Sequence, residues 1–434
     1  MGAALVRGFG DGGRVRVLDL GAGVGALAVA ASAAFRDRGI ECDVVAVESD
    51  PETADLLGRT LGNVGQTWPA VTYRVVRDNA FRLADPELGE APIGHFDAVI
   101  SNPPYFKMSP SAPEGGRAPN AYARFMNVGL RLLRQGGRLC FIVPRSFASG
   151  FYYRRFRKEL LSSAGFESIH VFESRSDQFD EVLQENVIVV LRKGPPLTPI
   201  EVTSSAGIAD LGNARRTAVP ADALVRPTDG QSVIRIPTSP AELETLKHVD
   251  SLPYRLRDFG LEISTGPVVP FRAKDRLLAS EGTTTVPLLW MQHVLAGRTV
   301  WPLSACKKPQ FLDSADADKL LIPAGNYVLL RRFSAKEERR RLIAAPVLRG
   351  QIPTAQFAIE NHVNYIHRGR GSMMESEAIA LSELLNSDVY DRYFRIMNGN
   401  TQVSATEIRS LPLPDLARLR RAETRPETAA APGP

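Results

Sequence analysis

Short apolar runs recur along the first half of the chain, each followed by a segment with helical spacing of its apolar positions. "VRVLDLGAG" reads as a buried strand and "GALAVAASAAFRDRG" as an Ala-rich helix closed by Gly39. "CDVVAVESD" predicts a second strand, and "PETADLLGRTLG" a helix with Pro51 at its start. "VTYRVVRDN" and "HFDAVISN" predict the third and fourth strands. "YARFMNVGLRLLRQGG" has helical spacing and ends on paired glycines, and "RLCFIVPRS" is a fifth strand. "RRFRKELLSSAG" predicts a basic helix, and "FESIHVFES" and "ENVIVVLRKG" two more strands. Apolar strands alternating with helices predict an α/β fold with a mostly parallel sheet covered on both faces.

The rhythm breaks after Lys193. "GPPLTPIEVTSSAGIADLGNARR" is rich in Pro, Gly, Ser and Thr, so residues 194–240 are expected as a connecting region. A mixed α+β domain is expected over 241–414, with basic clusters at Lys307–Lys308, Arg331–Arg332 and Arg339–Arg341. Residues 415–434 are Ala- and Pro-rich and expected to be disordered. With 434 residues, 44% hydrophobic and 23% charged, the chain suits two ordinary globular domains. Three cysteines without paired spacing argue against a disulfide framework or zinc knuckle and point to the reducing cytoplasm. No apolar run approaches the roughly 20 residues of a membrane span, and the first residues lack a secretion signal. A net charge of +5 is compatible with a polyanionic partner and decides nothing alone.

Chemistry concentrates at the predicted strand ends. "VLDLGAGVG" places Asp19 ahead of Gly21, Ala22 and Gly23, where missing side chains let the backbone turn tightly against a ligand. No Gly-Lys-Ser/Thr follows, which excludes a phosphate-binding P-loop; a dinucleotide fingerprint stays open. Glu48 ends the second strand, where a carboxylate can accept both hydroxyls of a ribose, though a lone Glu there is also an ordinary solvated charge. Asp78, followed by Asn79, ends the third, where it can accept an adenine amino group. Acids at three successive tips favour an adenosine-containing cofactor.

The fourth strand runs into "SNPPY". An exocyclic amine on a planar ring is a poor nucleophile, because its lone pair is delocalised. Acceptors for both N–H bonds, the Asn102 oxygen and the Pro103 carbonyl, would pyramidalise the nitrogen. Pro103 and Pro104 stiffen the turn, and Tyr105 offers a ring for stacking. The plain alternative is an Asn-Pro turn.

In this order, "DLGAGVG", "VESD", "RDNAF" and "SNPPY" resemble the S-adenosylmethionine-dependent amino methyltransferases. The long C-terminal region, with "NGNTQVSATEIRSLPLP" near its end, resembles the gamma-class DNA adenine-N6 methyltransferases of restriction–modification systems. The resemblance implies a Rossmann-like class I catalytic domain over 1–193 and a target recognition domain over 241–414. It implies S-adenosylmethionine as cofactor, double-stranded DNA as partner and a separate endonuclease for cleavage. Asp19, Gly21, Ala22 and Gly23 would line the methionine end, Glu48 the ribose, and Asp78 with Asn79 the adenine. Asn102, Pro103, Pro104 and Tyr105 would hold a flipped adenine. Phe179 or Leu183 would supply a second stacking surface. The family's pocket-closing segment, often containing "TP", has no counterpart in the sixteen residues before Val17, which show no evident helix. The same catalytic motifs also occur in methyltransferases of protein glutamine or RNA amino groups, and a DNA-binding module without cofactor is the remaining alternative.

Three weaker features complete the reading. Glu360, His362 and His367 lack a third ligand nearby, so no metal site is assigned. "EERRRL" is expected as a solvated helix face. "FYYRRFRKELL", from Phe151, follows a strand at the active edge; it reads as an amphipathic core helix, with DNA contact by Arg154 or Arg155 as the alternative.

Overall fold

The computed structural model describes residues 1–83, 93–108, 120–173, 185–226, 230–334, 338–399 and 401–416. They form two compact units, Met1–Leu243 with Met397–Gly399, and a second of Glu244–Ile396 with the described residues after Gly399.

In the first unit, alternate residues of the central strands serve opposite faces, as the pleat requires. Val17 of β1 (Arg14–Leu20) joins Val44 of β2 (Glu41–Glu48) and Ala98 of β4 (Phe96–Ser101) in one apolar cluster. Leu5 of α1 (Gly2–Val6), Phe35 of α2 (Ala26–Arg36) and Leu57 of α3 (Pro51–Thr67) complete it. The adjacent Leu18, Val45 and Val99 belong to the opposite cluster. There they meet Tyr122 and Met126 of α4 (Ala121–Leu132) and Phe156 and Leu160 of α5 (Arg154–Ser163). Each such buried aliphatic side chain contributes about 1.5–3 kcal/mol. Asp50 caps α3 by accepting from Thr53 N at 2.8 Å, with Pro51 in its first turn.

The remaining strands are β3 (Val71–Arg77), β5 (Leu133–Pro144), β6 (Ala164–Phe172), β7 (Asn186–Lys193), β8 (Ile200–Ser205) and β9 (Arg215–Val219). Among the described residues they join β1, β2 and β4 in a nine-stranded sheet in the order β3–β2–β1–β4–β5–β7–β6–β8–β9. The pairings from β3 through β5 are parallel, and β7 runs antiparallel to both β5 and β6. The chain winds outward from β1 in one direction and from β4 in the other. The crevice between their carboxyl ends is the switch point at which open α/β sheets bind ligands.

Four sequence expectations change. Residues 194–240, expected to connect two domains, extend the sheet instead: β8 pairs parallel to β6, and β9 antiparallel to β8. The glycines expected to close α4, Gly136 and Gly137, lie inside β5, because the chain already turns extended at Leu133. The first residues do contain a short helix, α1, whose Leu5 and Val6 are buried against the sheet. In "EERRRL", residues 339–342 are not helical and Arg341 is buried; its Nε donates to Ser334 Oγ at 3.0 Å and its main-chain N–H to Asp391 Oδ1. The expected disordered tail beyond residue 416 lies outside the described residues.

The second unit is mixed α+β. Its four-stranded antiparallel sheet runs, in spatial order, Leu261–Thr265, Val363–Arg368, Tyr327–Arg331 and Ala344–Val347. A five-stranded sheet contains Leu277–Leu278, Phe311–Asp313, Thr285–Leu289, Gln356–Ile359 and Leu321–Pro323. The helices Glu375–Asn386 and Asp388–Met397 follow. His362 Nδ1 bonds Glu360 and His367 Nε2 bonds Ser264 Oγ at 3.0 Å. No cluster of three metal-ligating side chains occurs among the described residues, and none of their helices is long and apolar enough to cross a membrane.

Candidate active site

Beyond β1 the chain turns through Gly21, Gly23 and Gly25 at φ +68°, +55° and +93°. Gly25 N-caps α2 in the left-handed region, and a Cβ there would stand 2.8 Å from Leu57 Cδ1. Gly25→Ala therefore combines backbone strain with a clash in the core. It is expected to cost about 1–3 kcal/mol and lower the melting temperature by several degrees in thermal unfolding.

Glu48 braces this loop from the neighbouring strand. Its Oε2 accepts from Gly23 N at 3.0 Å, and its Oε1 from Ser49 N at 2.8 Å and Asp50 N at 2.9 Å. A carboxylate oxygen has two lone-pair directions, so Oε2 keeps one for a hydroxyl. Asp78 Oδ1 accepts from Asn79 N at 2.7 Å, while Asn79 Oδ1 accepts from Phe81 N at 3.0 Å and fixes the turn after β3.

Asp19 lies beneath the loop, fully buried, and neither carboxylate oxygen has a hydrogen-bond partner among the described residues. Burial lifts its carboxyl to about 7; the Ala28 backbone N–H, outside hydrogen-bonding geometry, opposes this, and the Glu48 charge adds to it.

The "SNPPY" loop leaves β4 beside this strand end. Ser101 Oγ donates to Leu20 O at 2.6 Å, tying the tips of β4 and β1 together. Asn102 is exposed, and its Oδ1 accepts from Tyr105 Oη at 3.0 Å; the same hydroxyl lies 3.2 Å from Ile142 O on β5. Burial raises the Tyr105 phenol, so it remains a neutral donor. Tyr105 is half-buried with its ring edge-on to Tyr122, at 6.2 Å between centroids, and the exposed aromatic of the loop is Phe106, at 54%. Pro103 is buried and Pro104 exposed. Phe106 O accepts from Ala121 N at 3.0 Å, anchoring the loop to the start of α4.

A cavity of about 220 Å³ brings these loops together. Gly21, Asp78 and Asn79 line it with Phe81 and Phe125, and Pro104 and Phe106 of the "SNPPY" loop complete the wall. Asp19, Ala22, Gly23 and Glu48 do not line it, and neither do Asn102, Pro103 and Tyr105 of the "SNPPY" loop. Phe179 and Leu183 lie outside the described residues. Sequence reasoning missed Phe81, Phe106 and Phe125. Phe106, directly after the motif, carried a legible signal; Phe81 and Phe125 look like ordinary core residues.

The strand order, with the loops gathered at its switch point, is that of a Rossmann-like class I methyltransferase fold. Residues 74–179 match the Eco57I restriction-modification methylase family. Over 415 residues the chain is 34% identical to the type II methyltransferase M.BsuBI of Bacillus subtilis, covering 92% of this chain and 82% of that protein. It is 37% identical over 334 residues to the type II methyltransferase M.PstI of Providencia stuartii, covering 75% of this chain and 66% of that one. The chain belongs to the type II methyltransferases of restriction–modification systems: it is a DNA methyltransferase, and S-adenosylmethionine is its cofactor. In fold it is similar to the type IIL restriction-modification enzyme MmeI solved with DNA, with TM-score 0.53 and 13% identity, over 92% of this chain and 61% of that one.

The residues present fit this cofactor. It carries a sulfonium and an ammonium, and the unpartnered buried carboxylate of Asp19 is the complement of a positive charge. The cavity offers aromatic faces at Phe81 and Phe125, and Asp78 Oδ2 accepts from no described residue.

Proposed function

We propose that the methyl acceptor is N6 of an adenine drawn out of duplex DNA and held by Asn102, Pro103, Pro104 and Tyr105. The supporting observation is that Pro104 and Phe106 share one cavity with Gly21, Asp78 and Asn79, so a base held by this loop and an adenosine on the β1–β3 tips are neighbours.

When bound, S-adenosylmethionine supplies an electrophilic methyl group. Asp19 would meet its positive charge, Glu48 Oε2 a ribose hydroxyl, and Asp78 with Asn79 the adenine edge; Gly21, Ala22 and Gly23 would allow close approach. Asn102 Oδ1 and the Pro103 carbonyl accept the two N–H bonds of the target amine and turn its lone pair toward the methyl. The Tyr105 hydroxyl has one proton and two acceptors, Asn102 Oδ1 and Ile142 O. Swinging that proton to Ile142 frees Asn102 Oδ1 for the incoming amine. Phe106 offers one stacking surface, and Phe179 is the candidate for another. We assign target recognition to the second unit and cleavage to a separate endonuclease.

Tritiated methyl transfer to duplex DNA, followed by nucleoside analysis, tests this reading. N6-methyladenine is the expected product, and sequencing of modified bases gives the site. Methylcytosine in place of methyladenine, or label in RNA or protein alone, refutes it.

A further inference from the structure

From Arg154 the segment "FYYRRFRKELL" is the expected amphipathic core helix, with Phe156 and Leu160 buried, but its first three residues lie outside that helix and outside the site described above. Phe151 and Tyr152 project from a short 3-10 turn ahead of α5, 59% and 84% exposed, with ring centroids 6.0 Å apart. Large aromatics this open are uncommon on a surface that binds nothing.

The turn is held rigidly from below. Arg157 is fully buried and its guanidinium donates to four main-chain oxygens: Phe147 O at 2.9 Å, Gly150 O at 2.7 Å, Gln231 O at 2.9 Å and Ser232 O at 3.0 Å. Four carbonyls around one buried cation clamp both ends of the turn's approach. From the side, Tyr153 stacks on Tyr122 at 5.7 Å and 18°, and Tyr122 in turn meets the Tyr105 ring. An aromatic row, Tyr153–Tyr122–Tyr105, thus joins the residue that follows the exposed pair to the "SNPPY" loop. Arg154, Arg155 and Lys158 are exposed on the same helix start. Arg154 Nε reaches Gly230 O, and Arg155 pairs with Glu159 one turn along.

We infer that the Phe151–Tyr153 turn is a DNA-contacting element that stabilises the extruded state of the target. Phe151 and Tyr152 stack on bases unstacked when the target nucleotide leaves the helix, and Arg154, Arg155 and Lys158 meet the flanking phosphates. Duplex DNA is the occupant that the combination fits: flat apolar rings for bases, cations for phosphate, and continuity with the loop that holds the base. The inference rests on the adenine-flipping reading above.

The test compares wild type with Phe151→Ala/Tyr152→Ala and Tyr152→Phe, as full chains, on two duplexes carrying the site identified by sequencing. In one the target adenine is paired with thymine; in the other it faces an abasic position and is already loosened. The double variant is expected to lose about tenfold or more in kcat/KM on the paired duplex. It should recover most of that loss on the abasic one, with S-adenosylmethionine affinity by calorimetry unchanged. Tyr152→Phe should stay near wild type. Unaltered kcat/KM in the double variant, or an equal loss on both duplexes, overturns the inference. Wild-type transfer to neither duplex instead defeats the adenine reading on which it rests.

Discussion

Asn102→Ala is expected to lower kcat for methyl transfer by about 10²–10³-fold while leaving cofactor affinity within about twofold. The side chain is exposed and contacts the protein through Tyr105, so its loss opens no core cavity. Its oxygen is the acceptor placed to reorganise a conjugated amine, a role that matters only as the nitrogen changes geometry. Single-turnover methylation with saturating cofactor isolates that step. Asn102→Asp is informative beside it: it keeps an acceptor at the same place but adds a charge. A fall confined to KM, with kcat intact, would mean that Asn102 binds DNA without taking part in the reaction.

Asp19→Asn is expected to separate binding from stability. The Asp19 carboxyl stands at about 7 in the folded chain, against about 3.9 when unfolded. A raised acid favours folding below the unfolded value, and that contribution is lost as pH rises through about 7. The ligand-free wild type therefore loses stability between about pH 4 and pH 7, and the asparagine variant does not. Above pH 7 the variant should be the more stable by on the order of a few kcal/mol, less whatever its unpartnered amide costs. Thermal unfolding at pH 5 and pH 8 reads the difference. Cofactor binding should move the opposite way: calorimetry should show affinity for the cationic ligand rising with pH up to about 7 in wild type, with proton release. The variant should bind about a hundredfold more weakly and show no such dependence. Equal melting curves at pH 8 would show that Asp19 is not buried as a strained acid.

Much of the first unit could be read from its residues, because central parallel strands must be apolar on both faces. Val17 to Leu20 and Val44 to Val47 announce themselves. The three strand-end acids were also visible, but their different duties were not. Asp19 is buried below the glycine loop, Glu48 braces it and Asp78 lines the cavity; these depend on which atoms the tertiary fold brings near. β8 and β9 escaped notice because "IEVTSS" and "RRTAV" are short and half polar, as strands at a sheet margin tend to be. The second unit was opaque for a related reason: its strands are two to six residues long and pair far from sequence order. Nothing in the sequence sets Arg157 apart from the other basic residues of its helix. Two of its carbonyl partners lie more than seventy residues away, at Gln231 and Ser232.

The addition of β8 to β6 bears on how the enzyme can be dissected. His170 on β6 bonds Thr203 Oγ1 at 2.8 Å and Ser205 Oγ at 3.1 Å across that seam. A catalytic fragment ended at Lys193 would bare the Ser168–Phe172 ladder, a ready template for pairing with a second molecule. Such a piece should precipitate or self-associate for reasons unrelated to chemistry, whereas one carried through Leu243 retains its natural seal.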